Sequence, residues 1–281
     1  ALLIPKLPHS IRALVILPTG RLSVLPFEAL VKGKKIADKN FETFPYLIDK
    51  YNIRYEFSAS LILQKNAREL DTSTPAILLC APVEFPGNSN LPDLPGTQSE
   101  VAEISKLFAD GNMKASVNLF EKANESLIKE NNKGEFNLVH LATHGVVDEY
   151  NPELSRIFLQ STSAGEDGNL FSGEIYNLRL PANLVTLSAC QTGLGKISKG
   201  EGVIGLSRAL VYAGARNIIV SYWSVADEST AELMKEFYRL LLQNRDMDAY
   251  ATSLQQAKIR LRQHKEYSAP YYWAPFILIG F

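Results

Sequence analysis

The sequence predicts an α/β protein: a mainly parallel sheet flanked by helices, with an N-terminal subdomain in front of it. Three observations predict this. From Ala76 onward, short apolar runs alternate with longer stretches of helical periodicity, the pattern of strands joined by crossover helices. One of those runs, Ala76–Cys80, is apolar at every position, as a strand buried on both faces requires. The chain's 281 residues, 46% hydrophobic and 21% charged, suffice for a sizeable core.

Residues 1–70 read as the opening subdomain and 71–281 as the main domain. Ala13–Leu17 and Arg21–Leu25 flank Pro18-Thr19-Gly20, a hairpin-like punctuation. Ile53–Phe57 predicts a third strand, and Ser58 a cap for a helix running through Leu70. Asp71–Pro75 reads as a linker. Ala76–Cys80 is then a short buried strand, and Pro82–Gly96 a loop rich in Pro, Gly and Asn. Thr97 with Glu100 three residues on has the capping-box pattern. Strands follow at Val117–Phe120 and Phe136–Thr143, with a helix near Asn124–Glu130 between them. Ile157–Gln160 predicts a minor strand and Ser172–Leu178 a short helix. Strands at Leu184–Ala189, Asn217–Trp223 and Phe276–Gly280 complete the set, with helices near Gly202–Ala213, Glu228–Leu242 and Ala249–Gln263. No internal repeat is visible.

The formal net charge is −1, and Lys and Arg are interspersed with acids, so no nucleic-acid contact is expected of these residues. No apolar run approaches the roughly 18 residues of a membrane span, and the N-terminal residues lack a signal-peptide pattern. Two cysteines argue against a disulfide framework and fit a reducing, cytoplasmic setting. The first residue is Ala rather than Met, which suggests a domain of a longer protein.

Two segments carry chemistry: HLATHG at His140–Gly145 and LSACQTG at Leu187–Gly193. Each closes a strand-like run, so a His-Gly and an Ala-Cys stand at the carboxyl ends of two strands, where open parallel sheets place their sites. His144 and Cys190 are 46 residues apart (190 minus 144). A thiol needs a base to become a thiolate, and a neutral imidazole is the usual one. The pattern points to a cysteine protease.

These motifs, with Gly200–Thr230 (GEGVIGLSRALVYAGARNIIVSYWSVADEST), the closing PYYWAPFILIG (Pro270–Gly280), Val15–Leu30 and Leu91–Ile104, resemble the CHAT domain. The resemblance covers essentially the whole chain. It implies a caspase-like fold of the caspase and separase clan, a protein or peptide substrate, and an N-terminal repeat region or regulatory partner. It also implies Cys190 as nucleophile, His144 as its partner, and backbone N–H groups of Gly145 and Cys190 as oxyanion donors. Ser221, Trp223 and Asp227 then belong to the substrate-binding segment. The alternatives are another Cys-His acyl-transfer hydrolase, or a non-catalytic signalling or docking module on the same fold.

Other readings of the same residues are weaker. His140 and His144 lie four apart, but zinc needs further ligands and no HExxH or CxxC accompanies them; neither metal nor organic cofactor is expected. His140, deeper in its strand, reads as a hydrogen-bonded structural residue, and Cys80 as core. Gly193–Gly202 fails the phosphate-loop pattern and reads as a mobile loop over the site. Trp223 has a core reading beside the cleft reading. Asp227 has a helix-capping reading and a pocket-charge reading, which are not exclusive, and the sequence leaves both open. A charged pocket would take a Lys or Arg side chain before the cut; an uncharged one, walled by Trp223, would take Leu or Met.

Overall fold

A computed structural model of the chain describes residues 4, 7–31, 41–66, 73–85, 91–148, 150–162, 165–188, 202–244 and 248–280. The elements run in the order β1 (Ala13–Ile16), β2 (Asn52–Tyr55), α1 (Ala59–Asn66), β3 (Ala76–Ala81), α2 (Pro95–Asp110), β4 (Lys114–Leu119), α3 (Glu125–Glu130) and β5 (Leu138–Leu141). There follow β6 (Gly145–Val146), β7 (Arg156–Phe158), β8 (Asn169–Phe171), α4 (Ser172–Ile175), β9 (Leu184–Leu187) and α5 (Gly202–Ala213). The last are β10 (Asn217–Ser221), α6 (Asp227–Gln243), α7 (Ala249–Arg262), α8 (Pro270–Trp273) and β11 (Phe276–Ile279).

Eight strands form one sheet in the order β1-β2-β11-β10-β9-β5-β3-β4. Every neighbouring pair is parallel except β10 with β11. The predicted architecture of a largely parallel sheet is therefore present. The central strands are buried on both faces because alternate side chains feed two cores. Leu78, Val139, Val185 and Ile218 pack on the α5 side. Ile77, Leu79, Leu138 and Ile219 pack against α2, α6 and α7. A second sheet, β6-β7-β8, is antiparallel and follows directly from the histidine segment.

Two local expectations are corrected. Arg21–Leu25 forms no strand of a hairpin: Gly20–Val24 is a 3₁₀ helix, and β1 pairs in parallel with β2 instead. The left-handed Gly20 (φ 56°) and the bond from Leu22 N–H to Thr19 O curl the chain before it can return. Thr97 is not a helix cap either. Helix α2 starts at Pro95, with Pro at its first turn as φ favours, and the Thr97 hydroxyl donates back to Leu94 O (2.6 Å). Glu100, released from capping, turns inward. Ser58 does cap α1, accepting Leu61 N–H at 3.3 Å.

The opening residues are stitched to α7. Gln255 donates to Ile48 O (2.6 Å) and Asn52 to the Thr252 hydroxyl (3.0 Å). Lys258 Nζ meets Glu28 Oε1 at 3.1 Å, with both side chains almost wholly buried, and the Tyr55 hydroxyl donates to the same carboxylate. Burial holds the Lys258 pKa down while Glu28 raises it. Removing one member of a buried pair strands the other charge at a typical cost of about 3–5 kcal/mol. Lys258→Met is therefore expected to lower unfolding free energy by about 3 kcal/mol or more in urea titrations. Lys258→Met combined with Glu28→Gln should recover much of that loss.

Candidate active site

His144 lies three residues beyond β5, on the face that packs against α2 and α6. Its position is set by the loop after β3. Val83 adopts φ 65°, uncommon for a β-branched residue, and its carbonyl accepts Leu94 N–H (2.7 Å). Phe85 N–H donates to Asp93 Oδ1 (2.9 Å). These two bonds hold residues 83–85 against residues 93–94. Phe85 packs on that ring at 4.7 Å between centroids, and Pro92 O stands 2.7 Å from His144 Nε2.

A carbonyl oxygen only accepts, so Nε2 carries the hydrogen. In the neutral ring, Nδ1 then holds the lone pair. Nδ1 is buried and has no hydrogen-bond partner among the described residues. Burial lowers the His144 pKa from its ordinary value; the Pro92 carbonyl and the Asp227 charge oppose that shift without cancelling it. The result is a neutral base at neutral pH with one nitrogen anchored and the other uncommitted.

A cavity of about 70 Å³ adjoins the imidazole, lined by His144, Ser188, Ser221, Asp227, Glu100 and Thr97 among others. Two residues named from sequence, Ser221 and Asp227, thus meet His144 in one cavity. Trp223 is not in its lining; it packs against both cores and donates its indole N–H to Tyr271 O (3.0 Å). Gly145 opens β6, paired with Ile157. Cys190 and the glycine-rich stretch through 201 lie outside the described residues. Ser188, two residues before Cys190, is 2% exposed, and its hydroxyl has no partner among the described residues.

Asp227 makes no side-chain cap at the start of α6 and stands in the cavity lining. Helix α6 has Ala226 at its N-cap position, with no side-chain capping bond. The Asp227 carboxylate accepts Gly96 N–H at the start of α2 and faces the cavity. A Cβ on Gly96 would come within 2.6 Å of Asp227 Cβ, so glycine is what allows this approach. Burial, followed by the charges of Glu100 and Glu228, raises the Asp227 pKa.

Below the cavity, His140 is fully buried as a structural residue. Its Nε2 lies 2.9 Å from Glu100 Oε1 and its Nδ1 3.2 Å from the Tyr238 hydroxyl, which also bonds Thr186 (3.0 Å). His140 and Thr186 are register partners on β5 and β9, so one tyrosine ties both strands together. Sequence reasoning missed Pro92, Phe85, Ser188 and Glu100. Only Glu100 carried a signal, and its capping spacing pointed elsewhere. Cys80 is fully buried on β3, and burial pushes its thiol pKa up to about 12, which leaves it inert.

The His144 environment has a testable pH signature. Its folded pKa lies below the unfolded value near 6.5, so the unfolded chain binds the proton more readily. The stability owed to the neutral ring is whole above pH 6.5. It is expected to decline as pH falls from there toward the folded pKa. The imidazole C–H resonances of His144 in NMR titration should show a midpoint below 6.5; a midpoint above it would contradict the buried, neutral ring.

The CHAT domain family matches residues 1–281. Human tetratricopeptide repeat protein 28 is 26% identical over 311 aligned residues, which take in 96% of this chain and 12% of that protein. The chain therefore spans only a small part of the curated relative. Among solved structures, separase in the Saccharomyces cerevisiae separase–securin complex superposes with a TM-score of 0.55 at 16% identity, covering 86% of this chain and 15% of that one. The Arg-specific cysteine proteinase gingipain R (RgpB) of Porphyromonas gingivalis gives 0.51 at 11% identity, covering 87% of this chain and 56% of that one. These likenesses show the fold, which is caspase-like. On the match along its full length, this chain belongs to the CHAT domain family.

Proposed function

We propose that this chain is a cysteine endopeptidase in which Cys190 is the nucleophile and His144 its base. The observation that carries this reading is the anchored imidazole: Nε2 is fixed on Pro92 O, and the buried Nδ1 is left without a partner among the described residues. The strand register supports it. Leu141 pairs with Leu187, and the offset of 46 between them equals that between His144 and Cys190, so each residue follows its paired leucine by three.

In this mechanism Nδ1 takes the Cys190 thiol proton as Sγ bonds to the scissile carbonyl carbon. Amide N–H groups of Gly145 and Cys190 hold the oxyanion, a contribution of a few kcal/mol per donor. The imidazolium, still anchored on Pro92 O, gives its proton to the leaving amine as the C–N bond breaks. Water, deprotonated by Nδ1, then cleaves the thioester and restores the thiol. Ser221 and Asp227 act in the cavity that receives the side chain before the cut, and Trp223 forms an outer wall of the cleft. The Asp227 carboxylate favours a basic side chain there, in keeping with the Arg-specific proteinase that shares the fold. A repeat region or regulatory protein is the second component of the proposal, supported by the similarity to a tetratricopeptide repeat protein.

Cys190→Ala is expected to abolish peptide cleavage with its melting temperature unchanged. His144→Ala should lose several orders of magnitude in kcat/KM, since the two residues work as a unit. Cys80→Ala should change stability and leave turnover intact. Substantial cleavage by purified Cys190→Ala protein would overturn the proposal. Asp227→Asn should lower kcat/KM for basic substrates by about 10- to 150-fold, the worth of one desolvated charge-assisted hydrogen bond. An unchanged preference in a positional peptide library would remove Asp227 from the specificity pocket.

A further inference from the structure

We infer that Tyr271 is a positioning residue for substrate: from outside the cavity beside His144, its hydroxyl fixes the Ser224–Val225 peptide that forms part of the cavity wall. The inference rests on the endopeptidase reading and adds a residue to it.

The chain leaves β10 at Ser221 and enters α6 at Asp227. Along the way it borders the cavity, whose lining includes Ser221, Ser224, Val225 and Asp227. Residues 222–226 belong to no helix or strand, so bonds to other segments must fix their path. Tyr222 N–H donates to Pro275 O, the Trp223 indole N–H donates to Tyr271 O, and the Tyr271 hydroxyl donates to Ser224 O, each at 3.0 Å. A carbonyl oxygen only accepts, so the phenol is the donor in the last of these. Three consecutive residues are thereby tied to one short segment, residues 271–275.

That segment is firmly anchored. Pro270 starts α8, and Trp273 is wholly buried, with its indole N–H on Ser268 O (3.1 Å) and the Tyr46 ring edge-on at 5.1 Å. Tyr271 is different: it is 52% exposed and is absent from the cavity lining. Its ring meets Tyr272 edge-on at 5.2 Å. Burial does not account for a tyrosine at this place. What the exposed side chain contributes is reach, carrying a donor from α8 to a carbonyl 47 residues earlier in the chain.

Peptide geometry gives the consequence. In a trans peptide the C=O and N–H point in opposite directions, and the described chain has no cis bond. Drawing Ser224 O toward Tyr271 therefore turns Val225 N–H the other way. One hydrogen bond sets the plane of the peptide that joins two lining residues. A wall fixed before substrate arrives needs no ordering on binding, which strengthens affinity without touching the reacting atoms.

The test uses Tyr271→Phe, which keeps the ring against Tyr272 and removes the hydroxyl alone. Acetyl-Ala-Ala peptides ending in arginine amide or leucine amide, one for a charged and one for an uncharged cavity, are titrated calorimetrically into Cys190→Ala protein with and without Tyr271→Phe. The tighter peptide is expected to bind about three- to tenfold more weakly when the hydroxyl is gone, the worth of one neutral hydrogen bond. In protein that retains Cys190, the same substitution should raise KM by a similar factor and leave kcat within about twofold. Equal affinity of the two proteins for the tighter peptide would overturn the inference, whether or not the melting temperature falls. So would a loss of kcat at unchanged KM, or failure of both peptides to bind the parent. The calorimetric arm needs no turnover, so the endopeptidase reading is decided separately, by Cys190-dependent hydrolysis.

Discussion

The hydrogen bond from His144 Nε2 to Pro92 O is the interaction on which the proposed chemistry depends. An imidazole in a buried site must satisfy its N–H, and the nitrogen that does so determines which one is left as the base. Because the acceptor is a backbone carbonyl, the choice is made by the course of the chain rather than by a titratable neighbour. The segment that carries this carbonyl is tied to the residues that follow β3, through Val83 O with Leu94 N and Asp93 with Phe85 N. Phe85 covers the ring and helps keep the imidazole neutral by excluding water.

Around that bond the sheet supplies register and the helices supply charge. Parallel pairing of β5 with β9 sets Leu141 beside Leu187, the residues three before His144 and Cys190 in the sequence. Tyr238 of α6 locks the two strands through His140 and Thr186, so the same helix that begins at Asp227 secures the strands beneath the site. Helix α2 contributes twice: Gly96 at its start allows Asp227 to approach, and Glu100 one turn on brings a second carboxylate to the cavity. The buried Glu28–Lys258 pair lies away from this chemistry and joins the opening residues to α7.

The buried strands were legible in the sequence because burial on both faces leaves short, mainly apolar runs: β3, β5, β9, β10 and β11 all fall within their predicted spans or within a residue of them. Errors arose where a tertiary contact outweighed a local preference. Thr97 and Glu100 have capping spacing, yet Pro95 starts the helix earlier and a buried histidine attracts the glutamate. The turn at Pro18–Gly20 was recognisable, but its left-handed glycine leads into a 3₁₀ helix rather than a return strand. The roles of Pro92 and Ser188 were invisible because a carbonyl and an unpaired hydroxyl leave no mark on residue type. His144 and Cys190 stood out by motif and spacing; the structure describes His144 beside its cavity, while Cys190 lies outside the described residues.

The most direct measurement of the central claim is a brief iodoacetamide pulse at pH 7, with alkylation at each cysteine quantified by peptide mass mapping. Cys190 is predicted to be alkylated faster than an unstructured cysteine, to slow sharply in His144→Ala, and to react while Cys80 stays protected. A Cys190 rate equal to that of an unstructured cysteine, and indifferent to His144→Ala, would contradict the account.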